Sequence, residues 1–299
     1  MKMEFKEKQK FYTGIINDEL DRLLTVPDNP QREVYEAMRY SLMAGGKRLR
    51  PMLTLAVCDM LGGNLEDALI FGTAIECIHT YSLIHDDLPC MDNDDLRRGM
   101  PTCHKAFGET TALLAGDGLL TFAFESMADF SKYQSISFET AVKVIAEVAK
   151  CAGCQGMIGG QVVDLKNESA ENVSEAELSY MHACKTGALI RGAALAGAIV
   201  AGADSEQIKA VTVFADKLGL AFQIRDDILD FIGDEKLLGK PTGSDIENMK
   251  TTYVTLLGID EAQKTLDELS KQAIGALSGF GEKSEFLCSL ASYLTDRKN

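Results

Sequence analysis

Residues 204–233 read DSEQIKAVTVFADKLGLAFQIRDDILDFIG. Ile208, Val211, Phe214, Ala215, Leu218 and Phe222 recur at helical spacing, Asp204 and Gln207 form a capping pair at the start, and Gly233 is a plausible stop. A helix of that length is unusual in a globular protein. Outward from it, prolines stand only at 27, 30, 51, 89, 101 and 241, so Thr102 to Lys240 is proline-free and favours further long helices. Ile145, Val148, Ala149 and Ala152 keep the same period, and clean alternation is rare. Gly153, Gly156, Gly159, Gly160, Gly187, Gly192 and Gly197 interrupt helical patterns at about 1 kcal/mol each, which predicts close helix approaches or special turns. With no low-complexity linker and no fixed repeat, the expected fold class is all-α: residues 1–299 as one domain, a bundle of about ten or more helices.

Bulk composition narrows the function. Hydrophobic residues at 46% and charged residues at 25% sit near globular averages, which excludes a disordered or fibrous chain. The net charge of -15 opposes nucleic acid as a partner, because phosphate backbones need clustered Lys and Arg. A phosphate ligand would then require metal ions and a few placed basic residues. Eight scattered cysteines lack the density of a disulfide scaffold, and Cys151-x-x-Cys154 has no second pair at zinc-site spacing, so they read as reduced packing thiols. The N-terminal MKMEFKEKQKFYTGII lacks the apolar core of a secretory signal, and the small-apolar stretch Gly192 to Ala203 falls short of the roughly 20 residues of a bilayer span. The expectation is a cytoplasmic protein without a membrane span.

Three motifs carry chemistry. HDDLPCMDNDD, residues 85–95, puts five aspartates within ten positions and is followed by Arg97 and Arg98. Such a cluster opposes its own folding unless cations are present. On a continuous helix Asp86 and Asp92 would be turned about 600° apart, but Pro89 ends or kinks the helix and lets Asp92 curl back toward Asp86. Hard oxygen donors with room for water suit magnesium, which takes one or two carboxylates and completes its shell with substrate phosphates. QIRDDILD, residues 223–230, sets Asp226 and Asp230 on one face of the long helix, where like charges need something positive over them. GGKRLRP, residues 45–51, brings Lys47, Arg48 and Arg50 beside flexible glycines, as either a surface turn or a diphosphate cradle.

These motifs, with GGQVVDL, HACKTG at 182–187 and GKPTGSD, resemble the trans-isoprenyl diphosphate synthases, and within them the bacterial farnesyl diphosphate synthases, over nearly the whole chain. The resemblance implies a helical bundle of the isoprenoid synthase type around a central active-site cavity. It implies that Asp86, Asp92 and Asp226 hold three magnesium ions around an allylic diphosphate, with Asp87, Asp227 and Asp230 as direct, water-mediated or supporting partners. Arg97, Lys185, Lys240 and, more weakly, Lys250 would add positive charge there. Lys47, Arg50, His79 and Arg98 would bind isopentenyl diphosphate, although His79 also reads as a core histidine. Thr186, Gln223 and the backbone dipoles near Lys185 would steady the cation, with the released diphosphate as base. Gln161 and Asp164 would support the site or simply join helices.

Chain length would be set below the first motif, at Tyr81 and Ser82, where the bulky Tyr81 resembles the farnesyl-forming pattern. The expected reaction is therefore condensation of isopentenyl diphosphate with dimethylallyl and geranyl diphosphate to farnesyl diphosphate. Geranylgeranyl or geranyl diphosphate synthesis, and a non-catalytic subunit of a heteromeric synthase, are the alternatives. A class I terpene cyclase is disfavoured by DDILD and by the basic loop. The family further implies a homodimer, and Arg297 and Lys298 stand where a C-terminus could cover the site.

Overall fold

A computed structural model describes residues 4–168, 170, 172–232 and 251–296. The protein is all-α; among the described residues the strands are confined to one two-residue hairpin, Leu96–Arg97 paired with Met100–Pro101. Gly233, Lys240, Lys250, Arg297 and Lys298, named above, lie outside the described residues.

The centre is built from helices without a polar face. Helix α3 (Leu49–Leu61) buries almost its whole length, with Pro51 confined to the first turn where its missing N–H leaves no bond unmade. Helix α4 (Leu65–Asp86) is capped by the Asn64 side chain, which accepts from the amides of Glu66 and Asp67, and buries Phe71, Ile75 and Ile78. Helix α10 (Ala188–Val200) owes its place to small residues. A Cβ on Gly197 would fall 2.2 Å from the Thr54 carbonyl oxygen, and Thr54 Oγ1 donates to the Ala193 carbonyl at 2.9 Å, so α3 and α10 meet backbone to backbone.

The long helix is present as α11 (Ser205–Ile232). Asp204 Oδ1 accepts from the amides of Glu206 and Gln207, and Gln207 Oε1 accepts from the Asp204 amide, which is the reciprocal cap expected there. Val211, Phe214, Ala215 and Leu218 are buried, while Ile208 and Phe222 are half-buried at the edge of the same stripe. In α7 (Phe138–Ala152) the buried stripe is Ala141, Val144, Val148 and Ala152, and Ala149 lies exposed beside it.

Between α9 (Glu175–His182) and α10 the chain makes one π-helical turn, Ala183–Gly187. The continuous helix Glu175–Val200 is long and apolar enough to span a bilayer by length and composition, which the shorter Gly192 to Ala203 reading did not capture. Two thirds of its most apolar window is buried inside the protein. All eight cysteines are free thiols.

Candidate active site

Helix α4 ends at Asp86, three residues before Pro89, and the chain then doubles back: the Asp92 amide donates to the Asp86 carbonyl at 2.8 Å. Asn93 completes the reversal in a left-handed conformation, φ 52°. The expected curl is therefore present, and it places the two ends of the first motif together. Burial pushes the Asp86 carboxyl up to about 6; Lys185 across the cleft opposes the shift, and Asp92 adds to it. Asp87 plays a different part. It is 2% exposed and receives Arg97 Nε at 2.7 and 2.9 Å, so that Arg97 is spent on Asp87 as much as it is aimed at a ligand.

The basic loop divides its three cations. Gly45, Gly46 and Arg48 all have positive φ, and the resulting turn sends Arg48 inward. There it pairs with Glu76 at 2.9 Å, donates to Asn17 and to the Leu42 carbonyl, and is 3% exposed. It anchors the loop. Lys47 stays exposed and Arg50 half-buried, and a cavity of about 190 Å³ lies beside Gly46 and Lys47, with Gln9, Thr13 and Tyr293 on its other walls. Arg98 reaches back over the loop and donates to the Gly45 carbonyl. A Cβ on Gly46 would fall 2.7 Å from its guanidinium, so the glycine leaves the space that Arg98 fills.

His79 faces this cluster. Burial, then the guanidinium groups of Arg50, Arg98, Arg97 and Arg48, hold its imidazole well below the ordinary range, so it is neutral. Burial also lowers Arg50 to about 10, with Glu76 opposing and Arg98 adding to the shift, and Arg50 Nε is buried with no hydrogen-bond partner. Arg50, His79 and Arg98 thus form one cation-rich cluster, with Arg50 and His79 half-buried and Arg98 exposed, in which Glu76 is the carboxylate that opposes the mutual repulsion. An unmade donor among other cations suits an anionic partner.

The opposite wall is the π turn. Gly160 of α8 (Met157–Asn167) is pressed against it, since a Cβ there would sit 2.1 Å from the Lys185 amide nitrogen. Lys185 Nζ reaches Asp164 at 2.6 Å, so Asp164 holds the lysine, and Thr186 is half-buried beside it. A π turn widens the helix locally and turns carbonyls away from their usual partners. His182, quoted above only as part of its motif, is 9% exposed, lies 4.0 Å from Asp227 and stacks on Tyr253, while its Nε2 has no hydrogen-bond partner. Burial takes it down to about 4.

Asp226 and Gln223 are half-buried on α11; Asp227 and Asp230 are buried. Asp227 Oδ2 accepts from the Tyr253 amide at 2.9 Å, which ties the second motif to the short helix α12 (Tyr253–Leu257). Among the described residues no three ligating side chains converge on one point. The donor set nonetheless fits magnesium: hard carboxylates only, among them the half-buried Asp86, whose ionised form is disfavoured by burial and would be favoured by a nearby cation.

Tyr81 is buried five residues before Asp86 and Ser82 half-buried, with its hydroxyl donated to the His79 carbonyl. His85 was not singled out from sequence; it lies one helical turn beyond Tyr81, edge-on to its ring at 5.7 Å between centroids.

In comparison with known proteins, the family model described as polyprenyl synthetase matches residues 31–285. The chain belongs to the polyprenyl synthetase family. It is 49% identical over 268 residues to the chloroplastic geranylgeranyl pyrophosphate synthase of Catharanthus roseus, covering 89% of this chain and 74% of that one. To the farnesyl diphosphate synthase of Bacillus subtilis it is 45% identical over 274 residues, covering 92% and 90%. The apo crystal structure of an FPP/GFPP synthase from Zymomonas mobilis superposes with a TM-score of 0.88 at 38% identity, covering 97% of this chain and 98% of that one. The protein is a prenyltransferase of a family that binds isopentenyl and allylic diphosphates and generally depends on magnesium.

Proposed function

We propose that this polyprenyl synthetase joins isopentenyl diphosphate head to tail with dimethylallyl and then geranyl diphosphate, releasing farnesyl diphosphate. The observation that carries the reading is the pairing of two unlike anion sites: a cation-rich pocket at Arg50, His79 and Arg98, and an acidic cleft where Asp86 faces Lys185. One diphosphate suits the first directly; the other suits the second only through metal.

In this reading Asp86, Asp92 and Asp226 hold the magnesium, and Asp87, Asp227 and Asp230 fix the carboxylates in place. Bound magnesium would supply Lewis-acid stabilisation of the departing diphosphate. Lys185 and Arg97 add charge to the same oxygens, which favours breaking the carbon–oxygen bond. Arg50, Arg98 and Lys47 grip the isopentenyl diphosphate, and neutral His79 contributes an N–H donor without adding repulsion to four nearby guanidinium groups. Thr186, Gln223 and the carbonyls of the π turn are the dipoles nearest the developing carbocation. The alkene of isopentenyl diphosphate attacks it, and the released diphosphate takes the proton that restores the double bond.

Tyr81 is the proposed floor for the growing chain. A twenty-carbon product is the second reading, favoured by the geranylgeranyl-forming relative at 49% identity. Incubating the protein with isopentenyl diphosphate and geranyl diphosphate, with and without magnesium, separates the two by product mass. Tyr81→Ala is expected to lengthen the product, and an unchanged profile removes Tyr81 as the floor. No condensation under any of these conditions would overturn the enzymatic reading itself.

A further inference from the structure

Tyr81 does not stand alone. His85 lies one turn further along α4, on the same face, with its ring edge-on to the Tyr81 ring at 5.7 Å. The other side of the imidazole lies on helix α6 (Glu109–Ala128). Its Nε2 is 3.0 Å from the Leu113 carbonyl, and since a carbonyl only accepts, Nε2 carries the hydrogen. The helix beneath it has no side chain to spare: a Cβ on Gly116 would fall 2.1 Å from Nε2 and 2.3 Å from Cδ2. The bond to Leu113 fixes the ring in the one place that a Cβ at 116 would exclude. Asp117 Oδ1, at 3.8 Å from the same nitrogen, flanks it.

We propose that His85, seated on Gly116, is a positioning residue for product length: it is the spacer that sets how far the Tyr81 ring stands from α6 and hence where the cavity ends. The inference rests on the reading of Tyr81 as the floor. Two substitutions then act in opposite directions. Removing the imidazole lets the Tyr81 ring fall back toward α6 and deepens the cavity. Adding a methyl at 116 drives the imidazole toward Tyr81 and makes the cavity shallower. An edge-to-face ring contact is of the size that moves a product ratio by about two- to tenfold.

The experiment uses the full-length protein with magnesium, isopentenyl diphosphate and geranyl diphosphate, reading the ratio of longer to shorter products against the unmutated enzyme. His85→Ala raises the ratio by about two- to tenfold. His85→Gln, which keeps a donor for the Leu113 carbonyl but no ring, raises it likewise and so separates the spacer from the hydrogen bond. Gly116→Ala lowers it, and His85→Ala with Gly116→Ala stays near the His85→Ala value, because the methyl acts only through the imidazole and the two changes share one contact. A purely structural role would lower turnover for every product and leave the ratio alone; that result in His85→Ala and His85→Gln overturns the proposal, and these two variants decide it even if Gly116→Ala does not fold. Tyr81→Ala belongs in the same series. If it moves the ratio and the His85 variants do not, the floor stands and the spacer is wrong; if it moves nothing, the floor reading fails and takes the spacer with it.

Discussion

The two aspartate motifs are alike in composition and built on opposite principles. The first is a loop. Its ends meet because the chain reverses after α4, with the Asp92 amide on the Asp86 carbonyl and Asn93 in a left-handed conformation. The second lies on α11 and inherits its spacing from the helix. In each, the leading aspartate is half-buried and the following one is buried and tied down, Asp87 by Arg97 and Asp227 by the Tyr253 amide. In the proposed reading adjacent acids divide the work: the first would meet the ligand, while the second holds the motif to the protein. The proposed reading makes the loop motif the one that would adjust to a changing set of phosphate oxygens, and the helical motif the fixed reference.

The largest effect tests the shared half of this comparison. Asp86→Asn and Asp226→Asn keep shape and remove charge, and each is expected to lower kcat by about three orders of magnitude, the scale at which loss of one preorganised electrostatic partner is felt. Steady-state turnover at saturating isopentenyl and geranyl diphosphate, titrated with magnesium, measures both. If excess magnesium restores the loop variant and leaves the helical one inactive, the contrast between an adjustable and a fixed motif is sharpened. Equal losses that magnesium does not relieve would erase it.

The second test concerns the buried partners. Asp227→Ala leaves the Tyr253 amide unpaired, at about 1–3 kcal/mol, and Arg97→Ala leaves the Asp87 carboxylate in a buried place with no guanidinium. Arg97 is about a third exposed, so solvent relieves part of the penalty and the expected loss is about 1–2 kcal/mol. Both variants should therefore melt a few degrees lower, at about 2–4 °C per kcal/mol for a chain of this order of size. Thermal unfolding followed by circular dichroism, without substrates, reads this directly. Unchanged midpoints would mean that the second aspartates do not anchor their motifs.

How much of this was legible in the sequence depended on how local the cause was. The cap of α11 rests on Asp204 and Gln207, three residues apart, and was readable as written. The curl of the first motif follows from Pro89 within the motif itself. Lys47, Arg48 and Arg50 read as equivalent cations, yet Arg48 turns inward because Glu76, 28 residues later, waits in the core. The spacing of Tyr81 and His85 was visible as one helical turn, but the bare backbone at Gly116 on another helix was not. In the same way Gly160 showed only as a helix interruption, and its reason is the Lys185 backbone pressed against it. Periodicity and capping are properties of one segment; a close approach belongs to two, and a single sequence does not say which two.

Pro89 gives the smallest and most specific test of the loop. The helix ends at Asp86, with the Asp87 amide still bonded to the Leu83 carbonyl, and Pro89 has no N–H with which to continue it. Its ring also narrows the backbone choices of Leu88 and of itself, which lowers the entropy lost when the loop closes. Pro89→Ala removes that restriction at about 0.4–1 kcal/mol, which corresponds to an increase of about two- to fivefold in KM for the allylic diphosphate with kcat little changed. A matching change at the helical motif has no counterpart, because α11 fixes Asp226 and Asp230 without a loop to close. A fall in kcat at constant KM would show that the proline acts after the substrate is bound, and the loop would then have to be as rigid as the helix in the reacting complex.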